Sequence, residues 1–207
     1  QAISVITGSV KDRLLPTVHG IGITGDSQVR VDGKHTKEYR LWNNMLKRCY
    51  SVGCQKVRPT YIDCSVSENF RYLQYFKEWC NNQIGFNSVD EKGKPFALDK
   101  DILVKGNRVY NEDVCVFVPQ EVNLLFTKRD KSRGEYPIGV SFHKSRGMLT
   151  ATLNNKYLGY FNTAEQAFQV YKTAKEAYIK EVANKWKDKI DLRVYNALMK
   201  YEVEITD

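Results

Sequence analysis

Between residues 136 and 186 the spacing of apolar positions changes period once. Apolar and polar residues alternate through residues 140–143, 148–153 and 156–161, separated by Lys144-Ser145-Arg146-Gly147 and by Asn154-Asn155. Alternation marks strands with one buried face, and Gly and Asn supply the positive φ angles of tight hairpins. From Thr163 the period becomes that of a helix. Ala167, Val170, Tyr171, Ala174, Ala177, Tyr178 and Val182 fall along one face. Thr163-Ala164-Glu165-Gln166 is a capping box, with Thr163 at the cap and Gln166 placed to reach back. The pattern predicts three antiparallel strands packed on one long helix.

Upstream the periods are helical, then mixed. Tyr39, Trp42, Met45, Leu46 and Cys49 share a face over residues 37–50. Ser67 is placed to cap a second helix with Phe70, Leu73, Phe76, Trp79 and Cys80 on one side. Residues 51–66 read as irregular, with Gly53 and Pro59 as breakers. Residues 1–33 read as an extended arm or small hairpin. Residues 96–126 read as a strand (97–104), a turn at Lys105-Gly106-Asn107, a strand (114–118) and a short helix opened by Pro119 and running to Phe126. Strand, loop, strand and helix in that order is the shape of a ββα-metal nuclease site. The expected class is α+β. Residues 1–126 hold the arm, two aromatic-rich helices and the ββα unit. A basic linker (127–135), the sheet-and-helix domain (136–187) and a C-terminal tail (188–207) follow.

Composition narrows the classes. At 42% hydrophobic and 12% aromatic residues, the 207-residue chain has enough apolar side chains for a core and is not a disordered polymer. It has no apolar run of membrane-spanning length and no visible signal peptide, so a cytoplasmic protein with no membrane partner is expected. The five cysteines, Cys49, Cys54, Cys64, Cys80 and Cys115, fit no disulfide framework and sit mostly in apolar surroundings. Reduced, buried thiols are expected. Cys49, Cys54 and Cys64 are close in sequence but contain no CxxC pair, which disfavours zinc.

Charge is unevenly spread. Residues 127–187 carry 12 Lys/Arg against 5 Asp/Glu, which leaves +7 of the chain's +8. If Ala151 and Leu153 face the helix, then Thr150, Thr152 and Asn154 face away, joined by Ser141, His143 and the hairpin pair Lys144 and Arg146. A basic sheet of this width can enter a DNA major groove and neutralise phosphates, so double-stranded DNA is the expected partner. A solvated charged surface is the bland alternative.

The same residues carry a resemblance. Gly139-Val140-Ser141-Phe142-His143, Thr150-Ala151-Thr152-Leu153, Leu158-Gly159-Tyr160-Phe161 and Thr163-Ala164-Glu165-Gln166-Ala167 are similar to the ethylene-response-factor (Apetala-two type) DNA-binding domain. That family lays its sheet in the major groove. The resemblance implies DNA contacts from Ser141, His143, Arg146, Thr150, Thr152, Asn154 and Lys156. The plant domains carry several Arg and Trp at such positions, where this chain has Ser, Thr and Asn.

A second resemblance covers most of the chain. "YRLWNNMLKRCYS", "PTYIDCSVSENF", "FKEWCNN" and the segment 96–126 are similar to the HNH endonucleases of tailed bacteriophages. In such sites a base on the first strand activates water, while an acid beside it and a helix residue hold one divalent metal. The resemblance places the acid at Asp99 and the helix ligand at Asn123, with Asp101 as a second carboxylate on the same strand face. Lys100 stands where the family has its His base. A lysine with an ordinary pKa of about 10.4 is a poor base at neutral pH. His19 could supply the base from the arm. The ion would be Mg²⁺ or another divalent cation. Three readings follow: a divalent-metal endonuclease, an inactive HNH-like DNA-binding regulator, or a phage inhibitor whose basic sheet docks an acidic host protein. All three place the chain in the cytoplasm of a bacterial host.

Overall fold

The computed structural model describes residues 14–127 and 135–207. In chain order its elements are strands β1 (Arg30–Val31) and β2 (Lys34–His35), helices α1 (Lys37–Tyr50) and α2 (Val52–Val57), strand β3 (Ser65–Val66) and helix α3 (Leu73–Asn81). Then come β4 (Ala97–Asp99), β5 (Val109–Tyr110), β6 (Val116–Val118), α4 (Gln120–Leu124), β7 (Val140–His143), β8 (Met148–Leu153), β9 (Lys156–Phe161), α5 (Ala164–Trp186) and α6 (Leu192–Met199). The fold is α+β, as expected. It divides into two compact units, one of residues 1–83 and 104–115, the other of 84–103 and 116–207. Neither is continuous in sequence. The chain leaves the second unit after Leu103 and returns at Val116.

In the first unit, α1 and α3 bury the two aromatic-rich faces read from the sequence. Trp42, Met45, Leu46 and Cys49 of α1 are buried, as are Phe70, Leu73, Phe76, Trp79 and Cys80. The Trp42 indole N–H donates to the Phe70 carbonyl (2.8 Å), so the ring is buried without an unpaired donor. The Phe70 ring meets Phe76 edge-on at 5.2 Å and Trp79 at 4.8 Å. Ser67 does not cap the helix as expected: its Oγ accepts from Phe70 N–H at 3.3 Å, ahead of a single 3₁₀ turn, Asn69–Arg71, whose cap position is Glu68. The α-helix begins only at Leu73. The backbone at Tyr72 is extended and bridges Ile23, with Ile23 N–H bonded to Arg71 O and Leu73 N–H to Ile23 O. Sheet-like pairing with the N-terminal segment thus interrupts the helical run.

Other elements depart from the sequence reading. Residues 51–66, expected to be irregular, include α2, whose Ser51 cap accepts from Cys54 N–H. The strand expected over 97–104 stops at Asp99, and the one expected over 114–118 starts at Val116. Between them β5 pairs in parallel with β3, in register Ser65↔Val109 and Val66↔Tyr110. The helix expected to reach Phe126 ends at Leu124. Of the N-terminal arm, residues 18–35 form the β1–β2 hairpin and an isolated bridge between Val18 and Gly22; residues 1–13 lie outside the described set.

The second unit holds the sheet domain. Strands β7, β8 and β9 form an antiparallel sheet in that order, with the bounds the alternation predicts. Asn154 and Asn155 have φ of 49° and 63°, the left-handed pair of a two-residue hairpin turn. At Gly139 (φ +77°) a Cβ would stand 2.0 Å from the Tyr171 ring, so only glycine lets β7 start against α5. Helix α5 is continuous, and Thr163 Oγ1 accepts from Gln166 N–H at 3.2 Å.

The buried stripe of α5 is not the one expected. Ala167, Phe168 and Tyr171 are buried, then Ile179, Val182, Ala183 and Trp186; Val170 and Ala177 are exposed. The helix outlasts the sheet. It packs on all three strands and on α6, with Tyr171 against Gly139 ahead of β7 and Asn184 bonded to Tyr195 of α6, so different partners set its buried stripe along its length. The residues read as a tail, 188–207, supply Ile190, Val194, Leu198 and Val203 to this second core. The β4–β6 ladder (Ala97↔Val118, Leu98↔Phe117, Asp99↔Val116) lies in the same unit, where Phe96 meets Trp186 edge-on at 5.7 Å. Glu121 of α4 accepts from the Trp186 indole N–H and the Lys185 ammonium, both at 2.8 Å.

Candidate nucleic-acid interface

The helix-free side of the β7–β8–β9 sheet is built by strand alternation and one irregularity. Val140 pairs with Ala151 and faces α5. Ser141 pairs with Thr150, and Thr150 with Tyr160, on the other side. Beyond Ala151↔Gly159 the register slips, so that Thr152 pairs with Tyr157 and Leu158 is the extra residue of a β-bulge. Gly159 sits in this bulge at φ +151°, where a Cβ would meet the Phe161 ring at 2.9 Å. The bulge has a direct effect on the surface. Tyr157 and Tyr160, three residues apart, come to the same face.

There they form the centre of a small cluster. The two tyrosine rings are 4.9 Å apart, His143 meets Tyr160 edge-on at 5.4 Å, and the Arg146 guanidinium lies over the Tyr160 ring at 4.6 Å. A cation held over an exposed ring gains about 0.5–1 kcal/mol. That is enough to bias where the Arg146 side chain stands. Ser145 Oγ bonds His143 Nδ1 at 3.2 Å and fixes the imidazole. Of the residues read from the sequence, Ser141, Lys144, Arg146, Thr152, Asn154 and Lys156 are exposed and His143 is half-buried. Thr150 differs. It is 5% exposed, and its hydroxyl bonds Ser141 Oγ (3.0 Å) and donates to Ser141 O (3.2 Å). It ties β7 to β8 rather than facing solvent. Simple alternation would put the two tyrosines on opposite faces, so only the bulge makes both part of this surface. Of the expected linker, residues 128–134 lie outside the described set.

The second candidate is the end of β4. Asp99 Oδ1 accepts from the backbone N–H groups of Asp101 and Ile102, both at 2.9 Å. Burial and the neighbouring Asp101 push its carboxyl up to about 6, against the pull of those two N–H donors. Lys100 is buried, and its ammonium pairs with Asp101 Oδ2 at 2.9 Å. These three residues close the turn that ends the strand. Asn123 is half-buried on α4, and its carbonyl accepts from the Thr127 hydroxyl at 3.5 Å. His19 belongs to the first unit, at φ 51°, with Nε2 3.1 Å from Asn43 Oδ1. Among the described residues no three His, Cys, Asp or Glu side chains group as a metal cluster. The cysteines are not disulfide-bonded; Cys49, Cys64, Cys80 and Cys115 are buried, and burial pushes the Cys80 thiol well up.

No described helix is long and apolar enough to cross a membrane. Compared with protein families, curated proteins and solved structures, the chain gives no match.

Proposed function

We propose that this protein binds double-stranded DNA through the helix-free face of its β7–β8–β9 sheet, as a non-cleaving member of the phage HNH-like group acting in the cytoplasm of a bacterial host. The observation that carries the reading is Arg146 laid over Tyr160 on an exposed sheet face flanked by Lys144 and Lys156. Cations at both ends of the sheet, Lys144 and Arg146 in the β7–β8 turn and Lys156 beside the β8–β9 turn, favour phosphate contacts along it. The hydroxyls of Ser141 and Thr152 and the Asn154 amide supply short polar groups for base edges. A docking face for an acidic host protein shares the charge but has less use for the polar row.

Binding is favoured over cleavage by what Asp99 and Asp101 do. Asp99 accepts two backbone N–H bonds and Asp101 holds a buried ammonium, so both carboxylates serve the turn. An ammonium 2.9 Å from Asp101 also opposes a divalent cation at that carboxylate.

The test is duplex binding across a salt series. Lys144→Ala/Arg146→Ala/Lys156→Ala should weaken binding and flatten the salt dependence by up to about three units. Unchanged affinity and slope in the triple variant would remove the sheet face as the DNA site.

A further inference from the structure

The chain carries a second concentration of positive charge that net counts conceal. Residues 39–62 contain Arg40, Lys47, Arg48, Lys56 and Arg58 and not one Asp or Glu. This stretch is the body of α1, all of α2 and the 3₁₀ turn Pro59–Tyr61. At the junction of α1 and α2 it forms an open groove of about 630 Å³, whose lining includes Asn44, Lys47, Arg48, Ser51, Cys54 and Arg58. Of these cations, Arg48 is held internally against Tyr61. Some cations elsewhere find acids, as Arg71 finds Glu68 and Arg193 finds Asp191. Among the described residues Arg40, Lys47, Lys56 and Arg58 take part in no ion pair.

Helix α2 is itself an unusual element. It buries none of its residues, and Val52 and Val57 are 67% and 77% exposed. Polar bonds hold it in place instead. Gln55 Nε2 donates to Cys49 O at 2.7 Å and to Tyr61 O at 3.4 Å, and Ser51 caps its first turn. Arg48 is fixed below it, its guanidinium 5.3 Å from the Tyr61 ring centre. An exposed six-residue helix with no buried face contributes little to the core. Its position beside an acid-free, concave, cationic surface gives it a different use.

We infer that the α1–α2 groove is a second phosphate-binding surface for double-stranded DNA, independent of the sheet face. In the groove Asn44 and Ser51 add neutral donors beside the cations, a donor set suited to phosphate oxygens. The exposed valines can lie against sugars without desolvating a charge. The inference rests on the DNA-binding reading for the identity of the polyanion, and on the groove alone for its location.

The experiment uses the full chain, a fluorescently labelled duplex and anisotropy titrations over a range of KCl concentrations. Lys47→Ala/Arg58→Ala removes two exposed cations that make no internal contact, so circular dichroism should be unchanged. The expected result is several-fold weaker binding and a salt slope reduced by about two units, with Lys47→Arg/Arg58→Lys restoring both. An unchanged slope in the double alanine variant, alongside a reduced one in the sheet triple variant, would overturn the inference and leave this face to an acidic protein. The reverse pattern would sustain the groove and overturn the sheet reading.

Discussion

Tyr157 and Tyr160 stand 4.9 Å apart on one face of a strand, although residues three apart normally point to opposite faces. The Leu158 bulge resolves the conflict by adding one residue between the rungs Thr152↔Tyr157 and Thr150↔Tyr160. The pair then serves as a floor for Arg146 and a wall for His143. Replacing Tyr160 with Leu keeps the apolar bulk but removes the ring under the guanidinium. Binding to duplex DNA should weaken about fivefold, close to 1 kcal/mol, with the salt slope unchanged because no charge is lost. A slope that falls with the affinity would mean that Arg146 needs Tyr160 to reach its phosphate at all.

Gly139 is the most constrained glycine of the sheet domain. Both its positive φ and the 2.0 Å approach of Tyr171 exclude a Cβ. Gly139→Ala should cost at least about 2 kcal/mol and lower the thermal midpoint by several degrees. Gly93, also at positive φ but with open space around it, is the control and should cost about 1 kcal/mol.

Glu121 gives a pH dependence of known sign. Burial works against its charged form, but the Lys185 and Trp186 hydrogen bonds outweigh it and hold the carboxyl below its ordinary 4.5. A depressed acid contributes stability above its unfolded pKa and loses it as pH falls through the folded one. With both Lys185 and Glu121 more than a third exposed or nearly so, screening limits the effect to about 1 kcal/mol. Glu121→Gln should therefore be less stable than the parent at pH 7. The gap should close under acid, as denaturant midpoints measured from pH 7 to pH 3 would reveal.

Asp99 separates binding from cleavage. The protein should leave supercoiled plasmid intact with Mg²⁺ or Mn²⁺, and Asp99→Ala should bind duplex DNA as the parent does. That variant should be less stable, because two backbone N–H groups at the end of β4 lose their acceptor. Cation-dependent nicking that Asp99→Ala abolishes would restore the endonuclease reading.

The parts legible in the sequence were those governed by local periodicity. Helix α1 and all three strands of the sheet fall where the pattern puts them because each has a buried face of its own. What escaped depended on partners distant in the chain. Tyr72 leaves the helix for Ile23, β5 exists only because β3 is beside it, and α5 packs on α6 as well as on the strands. The candidate site was legible in its charges, which need no partner. It was not legible in its rings, because a one-residue bulge reverses the face on which every later side chain of that strand lies.

The excursion of residues 104–115 into the first unit has a consequence for synthesis. Ser65–Val66 cannot complete its ladder until Val109–Tyr110 has left the ribosome, and by then β4 has already emerged. The first unit can therefore close only after residue 115, when part of the second has already been made, and the second follows only once α5 and α6 are out. A gene split near residue 127 would yield a C-terminal fragment lacking β4, β6 and Phe96, whose ring meets Trp186. Wherever the chain is cut once, at least one of its two units is left incomplete.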